Sequence, residues 1–218
     1  MAASGPNGGK RMESATAHGF RLRYNSGMHA TAQILAEPSV RDAALPITVA
    51  QYHRLSGEGI VPERTELLQG VIIEQMTKSP LHTFLVQRLA GWLAEAVPAG
   101  WFVRKEEPLT LTDSEPEPDL TIVPGTPADY RLAHPATARL VVEVAIATLG
   151  IDRAKADVYA AAGVEEYWIV CPESRSAEVY RQPSASGYTS RGVVADSAAV
   201  IESAALPAAM ISIERLFS

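Results

Sequence analysis

Residues 139–145 read Arg-Leu-Val-Val-Glu-Val-Ala, an almost unbroken apolar and largely β-branched run. A strand with one wet face alternates polar and apolar residues, and this one does not, so it is the pattern of a central strand covered on both faces. Such a strand needs a layer of structure above it and another below it, which makes the chain an α/β fold. One residue breaks the pattern: Glu143 stands where the strand should be dry. A buried carboxylate costs on the order of several kcal/mol unless it is paired or bound to a cation, so Glu143 requires a partner.

The flanking text supplies the layers. Val49, Tyr52 and Leu55 recur at helical spacing after Thr48, and Gly57 and Gly59 then stop the helix. Residues 65–74 hold two apolar runs around Gln69-Gly70, which predicts a hairpin with glycine supplying the turn. Ser79-Pro80 punctuates before a helix expected over about 82–96, with Phe84, Leu85, Leu89, Trp92 and Leu93 on one face. Short strands are expected at 101–103, 109–111 and 118–123, the last with proline confined to its first position, and 125–135 reads as loop. After the Glu143 strand, Asp152 reads as the N-cap of an Ala-rich helix that runs to about Ala162 and ends at Gly163. Two more strands, 166–170 and 177–181, flank the turn Pro172-Glu173-Ser174. Beyond Ser184 the pattern is weak, with a short strand or helix around 210–217. This order predicts a mixed central β-sheet flanked by α-helices. Residues 1–45, rich in small residues and without periodicity, are expected to form a poorly ordered N-terminal extension to a single domain over 46–218.

Composition narrows the function classes. The 218 residues are 47% hydrophobic, enough for one substantial core. With 19 Lys plus Arg against 25 Asp plus Glu the net charge is −6, so no global positive field draws the chain to nucleic acid, and binding would rest on a local basic rim. The one cysteine, Cys171, excludes an intramolecular disulfide framework and a Cys-rich zinc site, and fits a reducing cytoplasm. No signal-peptide pattern and no stretch of about 18 apolar residues occurs, so a cytoplasmic protein with no membrane segment is expected.

A second carboxylate, Asp119, opens the strand predicted at 118–123. If its strand neighbours the Glu143 strand, the two acids converge, and such hard oxygen ligands suit Mg²⁺, with Mn²⁺ as the alternative. A metal held there supplies Lewis acidity for phosphodiester cleavage. Lys155, on the helix after the Glu143 strand, can return toward the same strand end and hold a water or neutralise charge on a phosphate. Each residue also has a plain structural reading: Asp152 as a cap, Lys155 as a surface lysine, Glu143 as the partner of a nearby Arg or Lys. Spacing alone leaves these open.

Six segments, taken in order and spacing, resemble a known family. They are Glu66-Leu67-Leu68-Gln69-Gly70, Pro80-Leu81-His82, Pro118-Asp119, Val142-Glu143-Val144-Ala145, Asp152-Arg153-Ala154-Lys155 and the block from Tyr159 through Tyr167-Trp168 to Val170. The likeness covers about residues 48–182 and is to a restriction-endonuclease family abundant in cyanobacteria and other bacteria, within the PD-(D/E)XK nuclease superfamily. It implies a restriction-endonuclease-like fold, with Asp119 and Glu143 as metal-binding acids and Lys155 as the superfamily lysine moved to the helix, Ala145 standing at its usual place. It further implies that Glu66 is an additional acidic residue of the site and His82 the histidine opening the first long helix. A Mg²⁺-dependent endonuclease acting on nucleic acid, DNA first, is the function implied, and cutting two strands favours a homodimer. The rival is a non-catalytic nucleic-acid-binding or assembly protein that keeps the fold; a hydrolase of another phosphate ester would share every residue. Ile146-Ala147-Thr148 and Cys171 depart from the family, which commonly has polar residues there. Tyr159, Tyr167 and Trp168 are read as packing residues rather than base-stacking ones.

Overall fold

The computed structural model describes residues 34–218, so most of the expected N-terminal extension lies outside the described residues. The chain divides into two units, residues 1–44 and 45–218. Among the described residues of the first, α1 (Pro38–Ala43) is a short helix with no buried residue. Everything below concerns the second.

Helix α2 (Val49–Gly57) starts at a capping box: Gln51 N donates to Thr48 Oγ1 and Thr48 N donates to Gln51 Oε1, so side chains satisfy amides that have no partner inside the helix. The hairpin of β1 (Thr65–Leu68) and β2 (Val71–Glu74) turns through Gln69 at φ 48° and Gly70 at φ 77°, two left-handed residues whose twist matches that of the strands. A Cβ at Gly70 would lie 2.2 Å from Pro46 Cβ, so backbone angle and close approach both demand glycine. Helix α3 (Pro80–Ala96) begins two residues before the expected start because Ser79 accepts from His82 N and Pro80 suits the first helical turn.

The central sheet has six strands in the order β3 (Trp101–Lys105), β4 (Leu120–Pro124), β5 (Leu140–Val144), β6 (Glu166–Cys171), β7 (Ser176–Ser184), β8 (Gly187–Val194). Every neighbouring pair is antiparallel except β5 and β6, which α4 (Leu149–Ala161) connects as a crossover. A small hairpin of β9 (Val200–Glu202) and β10 (Met210–Ser212) and the short α5 (Ile213–Leu216) complete the unit. Alternate residues of β5 and β6 feed two cores. Val142, Trp168 and Val170 pack with Leu85, Leu89 and Leu93 of α3 and with Ile201, Ile211 and Leu216. Val141, Tyr167 and Ile169 pack with Ala156 and Tyr159 of α4. The mixed sheet flanked by helices is therefore as expected, and β5 is buried at every position.

Three expectations are corrected. Residues 109–111 are not a strand: their amides go to Pro116 O, Pro135 O and Ser114 O, and Leu109 and Leu111 are buried as loop residues. Pro108, Pro116 and Pro118 lack the N–H groups a ladder there would need. Asp152 is not the N-cap of α4. The helix begins at Leu149 after Thr148, and Asp152 sits in its first turn with Thr148 Oγ1 donating to its Oδ2 at 2.5 Å. Finally, β8 lies in the segment read as weakly patterned; it is an edge strand whose mostly wet residues carry little apolar alternation.

Candidate active site

Register brings the two predicted acids together. Leu120 of β4 pairs with Val142 of β5, so Asp119, one residue before β4, lies beside Glu143. The acids are cross-tied through the backbone: Asp119 N donates to Glu143 Oε2 at 3.2 Å, and Val144 N donates to Asp119 Oδ2 at 2.8 Å. Helix α4 lies over this point, and Asp152, Lys155 and Tyr159 share one of its faces by their spacing. Lys155 Nζ is 3.0 Å from Glu143 Oε1, 3.0 Å from Glu66 Oε2 on β1 and 3.8 Å from Asp152 Oδ1. Tyr159 OH donates to Glu143 Oε1 at 3.0 Å. At the start of α3, His82 Nε2 lies 3.0 Å from Asp119 Oδ1, while its Nδ1 has no partner among the described residues.

All four residues named from sequence, Glu66, Asp119, Glu143 and Lys155, thus meet at one place, and each is at most 7% exposed. The surface-lysine reading of Lys155 fails, and so does the reading of Asp152 as only a cap, because Asp152 is buried against the lysine. Part of the structural reading of Glu143 holds, since it is ion-paired. Its partner, however, is shared. Three buried carboxylates surround one ammonium, with Asp119 bonded beside Glu143, and burial together with that imbalance governs their protonation. Burial pushes the Glu143 carboxyl up to about 8; Lys155 draws it back only partly, and Asp119, Asp152 and Glu66 push it further. Burial likewise lifts Asp152 to about 6 against the pull of Lys155. For Lys155 burial works downward, yet Glu143, Glu66 and Asp152 outweigh it and hold the proton far more firmly than on a free lysine. Burial also raises the Tyr159 hydroxyl well above its ordinary range, so it stays a donor.

The site opens into a cleft of about 120 Å³ between the 74–79 segment and residues 146–148 at the start of α4, with Lys78 and Glu117 on its wall. Burial lifts the half-buried Glu117 carboxyl, with Lys78 opposing. The donor set fits a divalent cation: hard carboxylate oxygens, buried and crowded enough that Glu143 holds its proton well above the ordinary range, at the edge of an open cleft. Sequence reasoning missed Glu106, just past β3, whose carboxylate lies near His82 and Asp119. It stands in Glu106-Glu107-Pro108, which reads as solvated charge; only the strand pairing that brings its amide to Asp119 O at 3.0 Å distinguishes it. The Tyr159 hydroxyl was missed as well. Its packing role is real, with its ring 4.9 Å from that of Tyr167, but the hydroxyl serves the site.

This fold and site define a restriction-endonuclease-like protein. The structure matches the crystal structure of a "putative nuclease belonging to DUF820" from Anabaena variabilis with a TM-score of 0.64 and 16% identity, over 79% of this chain and 98% of that one. Residues 49–214 match the model of the Uma2 family, described as "Putative restriction endonuclease", and the chain belongs to that family. No curated protein matches it.

Proposed function

We propose that the protein is a divalent-metal-dependent endonuclease that hydrolyses phosphodiester bonds in DNA, with Asp119 and Glu143 as its metal-binding acids. One observation carries the reading: four buried carboxylates face an open cleft with a single buried ammonium among them. A buried carboxylate is costly without positive charge of its own, and this group has a deficit that a cation fills. When bound, Mg²⁺ or Mn²⁺ supplies Lewis acidity at the phosphate.

The chain's own residues divide the remaining work. Lys155, its proton held by Glu143 and Glu66, acts as a fixed positive charge for the phosphate oxygens rather than as a base. Glu66 anchors that ammonium and is itself fixed by the Glu117 amide at 3.3 Å. Tyr159 and Lys155 together hold Glu143 Oε1, leaving Oε2 on the Asp119 side. Among the described residues no helix is long and apolar enough to cross a membrane. A duplex cut on both strands calls for two such sites, which a homodimer provides.

The test is cleavage of supercoiled plasmid and of single-stranded DNA and RNA with Mg²⁺ or Mn²⁺, against Glu143→Gln. Metal-dependent nicking by the parent that the variant lacks supports the reading. Metal binding without cleavage of any of these substrates overturns it in favour of a binding module that keeps the fold.

A further inference from the structure

We infer that His82, Glu106 and Asp119 form a second cation position beside the Asp119–Glu143 pair, and that it takes Mn²⁺ ahead of Mg²⁺. The inference rests on the proposed metal centre and extends its donor set. One ligand atom from each of the three residues lies within 4.8 Å of the other two. His82 Nε2 sits squarely on the Asp119 carboxylate, 3.0 Å from Oδ1 and 3.1 Å from Oδ2. Neighbouring ligands of an octahedral ion bound at about 2.1 Å are about 3.0 Å apart and opposite ones about 4.2 Å, so these spans close around one ion with small side-chain movement.

Glu143 is not part of this triad, whose ligand atoms come from His82, Glu106 and Asp119. Asp119 therefore belongs to both groups. The second group also differs in chemistry. An imidazole nitrogen is a softer ligand than a carboxylate; Mg²⁺ demands hard oxygen ligands, whereas Mn²⁺, a transition ion at the low end of the divalent affinity order, tolerates one nitrogen among carboxylates. Lys78 Nζ lies 3.1 Å from Glu106 Oε1 and supplies positive charge there; its half-exposed stem lets it swing out when an ion arrives.

The experiment is calorimetric titration of the full chain with Mn²⁺ alone and with Mg²⁺ as competitor, together with pulsed electron paramagnetic resonance, which reads nitrogen bound to Mn²⁺. Two Mn²⁺ ions per chain are expected, one with a nitrogen signal and resistant to Mg²⁺. Glu106→Gln and His82→Gln should weaken that ion by at least about tenfold, in line with other metal-site substitutions, and His82→Gln should erase the nitrogen signal. Glu143→Gln should remove the other ion and keep the signal. The inference is overturned if Glu106→Gln, melting like the parent, gives the parent's isotherm, or if no nitrogen signal accompanies bound Mn²⁺. Loss of all bound Mn²⁺ in Glu143→Gln also overturns it, since the triad then holds no ion independently of Glu143. Retention of both ions in Glu143→Gln instead defeats the Asp119–Glu143 centre and leaves this position standing. No Mn²⁺ bound to the folded parent defeats both.

Discussion

Adjacent strands β5 and β6 each carry a buried glutamate, on opposite faces of the sheet and in opposite circumstances. Glu166 accepts from Trp168 Nε1 at 2.9 Å, Arg181 Nε at 3.0 Å, Ser203 Oγ at 2.7 Å and Ala205 N at 2.9 Å, so both oxygens are saturated and one cation is its own. A third buried acid, Glu178 on β7, resembles it. Burial works to raise its carboxyl, but bonds from Arg153 and Tyr180 and the charge of Arg191 hold it below the ordinary range. Glu143 must instead share Lys155 with Glu66 and Asp152. A buried acid with a full complement of donors is architecture; one short of positive charge beside an open cleft is a candidate site for a ligand.

The comparison breaks most visibly on stability. Glu166→Ala strands the Arg181, Trp168 and Ser203 donors and is expected to cost about 3 to 5 kcal/mol in urea unfolding. Glu143→Gln, which relieves repulsion among acids, should leave the metal-free protein unchanged or more stable. Equal losses in the two variants would erase the distinction.

The pH dependence follows from the burial of these acids, with the charge deficit adding to it. Glu143 binds its proton more tightly folded, near 8, than unfolded, and Asp152 does so near 6. Their contribution to stability is full below the ordinary carboxylate range and is lost as pH rises through about 6 and then 8. The metal-free melting temperature should therefore fall between pH 5 and pH 8 by a few degrees, on the order of 1 to 2 kcal/mol. Mn²⁺ should raise it most at pH 8. A metal-free melt that is flat over this range, or that rises, contradicts the protonation assigned to the site.

Smaller effects sharpen the picture. Tyr159→Phe keeps the ring packed on Tyr167 and removes one bond to Glu143; a loss of about 1 kcal/mol is expected, with weaker Mn²⁺ binding in calorimetry. Weakened stability with unaltered metal affinity would return Tyr159 to packing alone. The smallest change is expected from a chain that begins at Leu45, which should unfold as cooperatively as the full chain because residues 45–218 contain the whole central sheet and its cores.

The fold was legible where a few neighbouring residues decide the outcome. Gln69-Gly70 fixes a turn, the 139–145 run fixes a covered strand, and Gly163 ends a helix by local chemistry. Strand β8 was not legible, because an edge strand needs no apolar face, and neither was the 109–111 loop, whose leucines are buried without a ladder. For the site, the identity of the acids could be read from a carboxylate in a dry strand and from family resemblance. Their charge balance could not. It depends on Glu66 and Lys155 meeting across 89 positions of sequence, and on Glu106 reaching Asp119 through strand pairing.

Placing the lysine on α4 rather than on β5 divides the site along a seam. The proposed metal-binding acids ride on the sheet, while the ammonium rides on a helix held to that sheet by the Arg153–Glu178 pair and by Tyr167 OH bonding Asp152 O at 2.8 Å. A slight slide of the helix would carry the ammonium and the Tyr159 hydroxyl away from Glu143, while the backbone bonds that tie Asp119 to Glu143 and Val144 stay within the sheet. Substitutions at those two fastenings, remote from any substrate, would then lower turnover more than ion affinity, giving the chain a throttle partly separate from its grip.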